Sequence, residues 1–367
     1  MIPFFTFEHQ HRQIREASLA FLEQCYDSNW YILGKSVAAF EQSFAAYNHS
    51  RFCIGVANGL DALSLSLTAL GIKAGDEVIV PSNTYIATWL AISYCGGTIV
   101  PVEPDPGTYN IDPAKIEEAI TPRTRAILPV HLYGQACDME AIMNIAGKYD
   151  LFVVEDCAQS HDACFKGQKT GTFGHINAFS FYPTKNLGAL GDAGAILTND
   201  AGLAEKVIAL HNYGSRKKYY NDYIGVNSRL DEIQAGILQL KLPLLASWTV
   251  ERRRIAEMYL QLLADIPGLI LPRVAEGAGH VWHIFMLRTD RRDALQAYLA
   301  SKEIGTMIHY PVPPHLQEAY RHLGFKQGDF SVAEEIAGTC LSLPLYIGME
   351  EVDVKQVCDE IKRFYFK

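Results

Sequence analysis

Two residues in this chain are of a type and in a position to carry chemistry. Asp156 closes the apolar run Leu151-Phe-Val-Val-Glu-Asp156. In open α/β sheets ligands bind beyond the carboxyl ends of strands, and a carboxylate left there needs a cationic or hydrogen-bonding partner. Lys185 lies in Phe179-Ser-Phe-Tyr-Pro-Thr-Lys-Asn-Leu-Gly-Ala-Leu-Gly-Asp-Ala-Gly194, between a buried-strand pattern and glycines at 188, 191 and 194. A partly buried lysine gives up its proton more readily, which suits it to condensation with a carbonyl. Taken singly, Asp156 also reads as a helix N-cap or turn residue and Lys185 as a surface lysine after a proline turn. Taken together they match the needs of a pyridoxal cofactor: a lysine for its aldehyde and an acid against its pyridinium nitrogen. The cofactor's phosphate needs donors, and Ala57-Asn58-Gly59-Leu60-Asp61 reads as a strand-to-helix turn with free N–H groups. Ser180 and Asn58 offer side-chain hydrogen bonds there, although Asn58-Gly59 alone also reads as an ordinary turn. The glycine spacing is not the dinucleotide fingerprint, and the residues after it are strand-like rather than helical.

These residues sit on a regular alternation of elements. Strand patterns at Arg51–Ala57, Glu77–Pro81, Thr98–Val102, Arg125–Val130 and Leu151–Glu155 alternate with helical patterns at Asp61–Leu70, Tyr85–Cys95 and Met139–Lys148. Crossover connections of this kind imply a mostly parallel sheet. Asn177–Tyr182 and Ala195–Thr198 complete it. A polar, aromatic loop over 212–229 leads into a long helical stretch to about Ala264, broken near Pro243. Beyond it lies a smaller α+β pattern, with strands expected at His283–Leu287 and Gly305–His309 around a helix at Arg292–Lys302. The boundary between the two domains is placed at 245.

Composition narrows the function classes. With 49% hydrophobic residues the chain has material for a large core, and 32 basic against 41 acidic side chains leave a net charge of −9. Such acidity disfavours a nucleic-acid binder. The most apolar long stretch, 85–102, is interrupted by Thr88, Ser93, Gly96 and Gly97, so no membrane span is expected. Eight cysteines without a C-x-x-C pair read as reduced thiols of a cytoplasmic protein. His280-Val-Trp-His283 has a helical spacing but no H-E-x-x-H context, so no metal is expected.

Glu155-Asp-Cys-Ala-Gln159, the Lys185 segment with its glycine tail, and Gly225-Val-Asn-Ser-Arg-Leu-Asp-Glu-Ile-Gln-Ala235 resemble the DegT/StrS family of pyridoxal-phosphate sugar aminotransferases. The resemblance runs over nearly the whole chain. It implies the aspartate-aminotransferase fold (fold type I), with a large α/β domain over 1–245 built on a mostly parallel seven-stranded sheet and a smaller C-terminal α+β domain over 246–367. Lys185 would then carry the cofactor and move the proton. Asp156 would meet the pyridine nitrogen, Gln159 the ring hydroxyl and Tyr85 the ring face. Gly59, Leu60 and Ser180 would hold the phosphate, joined by Asn227 from the partner subunit of a homodimer. Retention of Lys185 disfavours the dehydratase branch, where histidine replaces it. Ser160-His161-Asp162 departs from the Ala-His-Gly more often found in relatives, which bears on local loop packing.

For the substrate, Arg216, Lys217 and Tyr219 supply cations and aromatics suited to a nucleotide diphosphate, although a solvated basic loop reads equally well. His309 and Tyr310 resemble the segment lining the sugar side in relatives. The glycine tail resembles the branch acting on 3-keto-6-deoxyhexoses, dTDP-linked, with L-glutamate as amino donor and pyridoxamine phosphate as the alternate cofactor form. A C4 aminotransferase would keep every catalytic residue. A sugar-nucleotide-binding regulatory protein would need neither lysine nor acid.

Overall fold

The computed structural model describes residues 1–366. Seven strands form the main sheet: β1 (Phe52–Val56), β2 (Glu77–Pro81), β3 (Thr98–Val102), β4 (Thr124–Ile127), β5 (Phe152–Asp156), β6 (Ile176–Ser180) and β7 (Gly194–Thr198). Their order is β1-β7-β6-β5-β4-β2-β3. All neighbours are parallel except β7, which runs antiparallel to both β1 and β6. Every residue of β2 and β7 is buried, as both faces of such a sheet are covered by helices. This is the mostly parallel α/β sheet expected, with strand ends moved by no more than three residues.

The helices begin and end on local chemistry. α1 (Glu8–Ser28) and α2 (Lys35–Asn48) precede β1. Asn58 caps α3 (Gly59–Leu70) by accepting from the Asp61 N–H, and Gly71 closes it with φ 85°. α4 (Ile86–Tyr94) starts at Tyr85, and α5 (Met139–Tyr149) is capped by the Asp138 carboxylate. After the sheet come α6 (Ala201–Leu210) and α7 (Glu232–Lys241). Pro243 breaks the long helical stretch as expected: a 3₁₀ turn over Leu242–Leu244 separates α7 from α8 (Leu245–Leu263).

The C-terminal part builds a second core on the antiparallel pair β8 (Phe285–Arg288) and β9 (Cys340–Leu343), with α9 (Arg292–Ser301), α10 (Ser331–Thr339) and α11 (Glu351–Phe366). Tyr259, Phe285, Leu299, Leu341, Val357 and Ile361 share one buried cluster with Ile2 from the N-terminus. The strand expected at Gly305–His309 does not form. Within it only Met307 makes a bridge, to Ser342, and just before it Ile304 bridges Ile2. The first residues of the chain take the place of a strand partner: Ile2 N–H donates to the Glu303 carbonyl at 2.8 Å, and Gly305 N–H to the Ile2 carbonyl at 2.8 Å.

The Asp162 departure has a visible accommodation. Asp162 sits at φ 71°, where glycine carries no Cβ cost. Its carboxylate accepts from Tyr47 Oη at 2.6 Å and Lys169 Nζ at 3.1 Å. All eight cysteines are free thiols, and no helix among the described residues is long and apolar enough to cross a membrane.

Candidate active site

The carboxyl ends of β5 and β6 open into a cleft of about 780 Å³, closed on the other side by the C-terminal part and the N-terminal Phe4 and Phe5. Asp156 is the last residue of β5 and only 5% exposed. Its Oδ2 accepts from Thr88 Oγ1 at 2.9 Å and its Oδ1 from the Ala158 N–H at 3.1 Å. Burial raises its pKa, opposed by those two donors and by the positive charge of Lys185. Thr88 is held in turn by Thr84 Oγ1 at 2.9 Å.

Lys185 lies in the turn that leaves β6, its N–H bonded to the Tyr182 carbonyl at 2.8 Å. Burial lowers its ammonium to about 8, against the raising effect of Asp156. The glycines beyond it are required by close backbone approach. A Cβ on Gly188 would stand 2.1 Å from the Pro183 carbonyl oxygen, and one on Gly194 would stand 2.5 Å from that of Asn58. At Gly59 a Cβ would meet that of Ser180 at 2.5 Å, so the α3 N-terminus is pressed against the end of β6.

Gln159 is buried, with Oε1 accepting from the Tyr133 N–H at 2.6 Å and Nε2 donating to Tyr310 Oη at 3.1 Å. Tyr310 and Tyr85 bring their rings within 5.3 Å at the cleft wall. His309 bonds Ser342 Oγ through Nδ1 at 2.9 Å, and burial together with Lys185 lowers it to about 4. The imidazole is therefore neutral at neutral pH.

Of the residues singled out in the sequence, the cleft collects Lys185, Asp156, Gln159, Tyr85, Ser180, Asn58, Gly59, Leu60, His309 and Tyr310. Asn58 differs in detail, because its Oδ1 is committed to capping α3. Asn227, Arg216, Lys217 and Tyr219 do not line the cleft of their own chain. Asn227 bridges Asn212, and the other three lie on an exposed hairpin formed by Ser215–Lys217 and Tyr220–Asn221. There Arg216 donates to Tyr223 Oη at 2.8 Å, and the Lys217 ammonium stands 5.0 Å from the Tyr220 ring centroid.

Sequence reasoning missed Thr88, His283 and the Phe4-Phe5 wall. Thr88 was detectable as the residue one helical turn beyond Tyr85. His283 was considered only as half of a metal pair. In the structure His280 stacks on Trp282 at 3.8 Å and accepts the Trp282 N–H through Nδ1, while His283 alone reaches the cleft. Another buried cluster, His131, Glu155 and Cys157, is closed by its own hydrogen bonds. The Cys137 N–H donates to His131 Nδ1 at 3.0 Å, so Nε2 carries the hydrogen and donates to Glu155 at 2.8 Å. That imidazole keeps no lone pair for a metal.

A lysine and a buried carboxylate at neighbouring strand ends of this sheet belong to the aspartate-aminotransferase architecture, fold type I. The chain is a member of the DegT/DnrJ/EryC1/StrS aminotransferase family, whose profile matches residues 12–362. It is 52% identical over 364 residues to the dTDP-3-amino-3,6-dideoxy-alpha-D-galactopyranose transaminase of Aneurinibacillus thermoaerophilus, covering 99% of each chain. It is 48% identical over 344 residues to the erythromycin biosynthesis sensory transduction protein EryC1 of Saccharopolyspora erythraea, covering 94% of each. The crystal structure of S. venezuelae DesV in complex with a ketimine intermediate matches at TM-score 0.98 and 46% identity, covering 100% of this chain and 99% of that one. NtdA from Bacillus subtilis with bound cofactor PMP matches at TM-score 0.89 and 32% identity, over 97% of this chain and 82% of that one.

Proposed function

We propose that this chain transfers an amino group from L-glutamate to C3 of a dTDP-linked 3-keto-6-deoxyhexose, using pyridoxal phosphate that cycles with pyridoxamine phosphate. The observation that carries the reading is the pairing of Lys185 with Asp156 at one cleft floor. Asp156 is buried, bonded only by a hydroxyl and an amide, and joined to no cation within hydrogen-bond reach among the described residues. That environment suits a protonated ring nitrogen better than water. The relatives named for 3-amino sugars support the position of amination.

When bound, pyridoxal phosphate supplies the electron sink that lets an amino acid lose its α-proton. The residues of the chain do the rest. Asp156 keeps the ring nitrogen protonated, and Thr88 holds the carboxylate in place. Gln159 would face the ring hydroxyl, and Tyr85 would lie against the ring. The N–H groups of Gly59 and Leu60 at the α3 N-terminus bind the phosphate, with Ser180 and Asn58 at the same turn. Lys185, its proton affinity lowered by burial, would hold the aldehyde, and its amine could move a proton at the substrate carbon. The apolar wall of Phe4 and Phe5 excludes water.

The exposed hairpin and Asn227 find a purpose in a homodimer with shared sites. Asn227 would then reach the partner's phosphate site, and Arg216, Lys217 and Tyr219 would meet the nucleotide diphosphate, with His309 and Tyr310 on the sugar side. We divide the chain near residue 245 into a large and a small domain, with the cleft lined from both. One relative bears the name of a sensory transduction protein, so a non-catalytic reading has a specific source. Lys185→Ala separates the two readings. Loss of turnover supports the enzyme, and turnover near the wild-type rate overturns the role of Lys185. NMR of the product distinguishes amination at C3 from C4.

A further inference from the structure

His283 enters the cleft from the segment before β8, and that segment is clamped from three directions. The Val281 N–H donates to the Gly134 carbonyl at 2.9 Å, Arg252 Nη1 to the Trp282 carbonyl at 3.1 Å, and Arg253 Nε to the His280 carbonyl at 3.0 Å. The fourth contact comes from the immediate neighbour of Lys185. Asn186 is 1% exposed, and its Nδ2 donates to the Val281 carbonyl at 3.2 Å. Only the amide nitrogen can make that bond, so the amide oxygen is the atom 3.2 Å from His283 Nδ1. An amide oxygen accepts and cannot donate. His283 Nδ1 therefore carries the hydrogen, and Nε2 keeps its lone pair. No described residue bonds Nε2, and His283 lines the cleft together with Lys185.

The imidazole is also held neutral. Burial presses its pKa well down, reinforced by Lys185 on the turn after β6, Arg252 on α8, His309 from the C-terminal part and His161 after β5. Asn186 thus fixes a tautomer whose open nitrogen can only accept.

We propose that His283 is the acceptor that orients the amine of Lys185 once that amine is free beside bound pyridoxamine phosphate. The inference rests on the role given to Lys185 above. A lysine on its flexible four-carbon stem has no fixed direction once released. A hydrogen bond from its ammonium to His283 Nε2 gives it one, so the proton stays aimed at the reacting carbon. His283 acts through Lys185 and is a positioning residue, with Asn186 behind it.

The sign of one measurement distinguishes this from a packing role. An acceptor stabilises the ammonium, so removing it lowers the pKa of Lys185 from its value in the wild-type protein loaded with pyridoxamine phosphate. A mere packing defect admits water and lets the pKa rise toward the ordinary lysine value. The experiment is competitive acetylation of Lys185 by acetic anhydride across pH, read by mass spectrometry. It uses the full-length protein loaded with pyridoxamine phosphate. His283→Phe is expected to lower the midpoint by about one pH unit. His283→Gln, which keeps an oxygen acceptor, is expected to stay within a few tenths of wild type. Should His283→Phe fail to fold, Asn186→Leu frees the imidazole to take the other tautomer and is expected to move the midpoint in the same direction. A midpoint that stays put or rises in His283→Phe overturns the proposal. A chain that takes up no pyridoxamine phosphate overturns the proposed function instead, and leaves the Lys185 labelling readable.

Discussion

Glu155 and Asp156 are consecutive, both buried, and face opposite sides of β5. On one side Glu155 is saturated: the N–H groups of Gly171, Phe173 and Gly174 donate to it at 2.8, 2.7 and 2.7 Å, and His131 completes the set. On the other side Asp156 accepts one hydroxyl and one amide and opens onto the cleft. The first carboxylate spends its whole hydrogen-bonding capacity on the loop over 171–174 and on His131. The second keeps capacity in reserve for a cation. Burial alone does not mark a functional acid; the difference lies in what remains unsatisfied after folding.

That comparison yields predictions of unequal size. Asp156→Asn keeps the shape and removes the charge, so transamination is expected to fall roughly 10²–10³-fold while the fold persists. Activity assays beside far-ultraviolet circular dichroism check it; a fall below tenfold would break the contrast. Glu155→Gln reverses the pattern. It puts an amide N–H against backbone donors in a closed site, and about 3 kcal/mol of stability is expected to be lost. Denaturant titration reads this, and the fraction that remains folded should still turn over.

A smaller effect concerns the buried imidazoles near the cleft. Burial lowers His161 to about 3, His280 to about 3 and His309 to about 4. Between those values and the ordinary histidine pKa, the unfolded chain binds more protons than the folded one. Stability is therefore full above about pH 6.5 and lost as pH falls, by on the order of 1 kcal/mol per histidine at about pH 5.5. Thermal denaturation at the two pH values measures it, and His309→Gln should remove its share. The smallest structural effect belongs to the exposed hairpin. Arg216→Ala is expected to change stability by less than about 0.5 kcal/mol. It is expected to raise KM for the nucleotide sugar roughly tenfold with kcat little changed, the sign of lost ground-state binding. A fall in kcat with KM unchanged would contradict the assignment of the hairpin to the nucleotide.

Much of this was legible in the sequence because its signals are local. The period of apolar residues marked β2 and β5, Pro243 marked the helix break, and glycines 188 and 194 marked close backbone approach. Lys185 and Asp156 were legible as a pair because they end neighbouring strands. What failed depended on long-range contacts. Gly305–His309 has a strand-like pattern, but its backbone partners are distant: Met307 bridges Ser342, and just before the segment Ile304 bridges Ile2. His283 reaches the cleft because Arg252, Arg253 and Asn186 hold a segment far from each of them in sequence. Asn227 and the hairpin carry suitable chemistry yet lie outside their own cleft. Residue type says what a group can do, and only the packed chain says where it does it.

The central claim is that Lys185 carries the cofactor in this cleft, and an absorbance spectrum of the purified protein tests it most directly. The spectrum is taken before and after L-glutamate, with borohydride reduction of a parallel sample. The account predicts a visible band near that of lysine-bound pyridoxal phosphate, bleached by glutamate, and a reduced adduct that maps to Lys185. A protein that stays colourless after incubation with pyridoxal phosphate, or an adduct on another lysine, would contradict it.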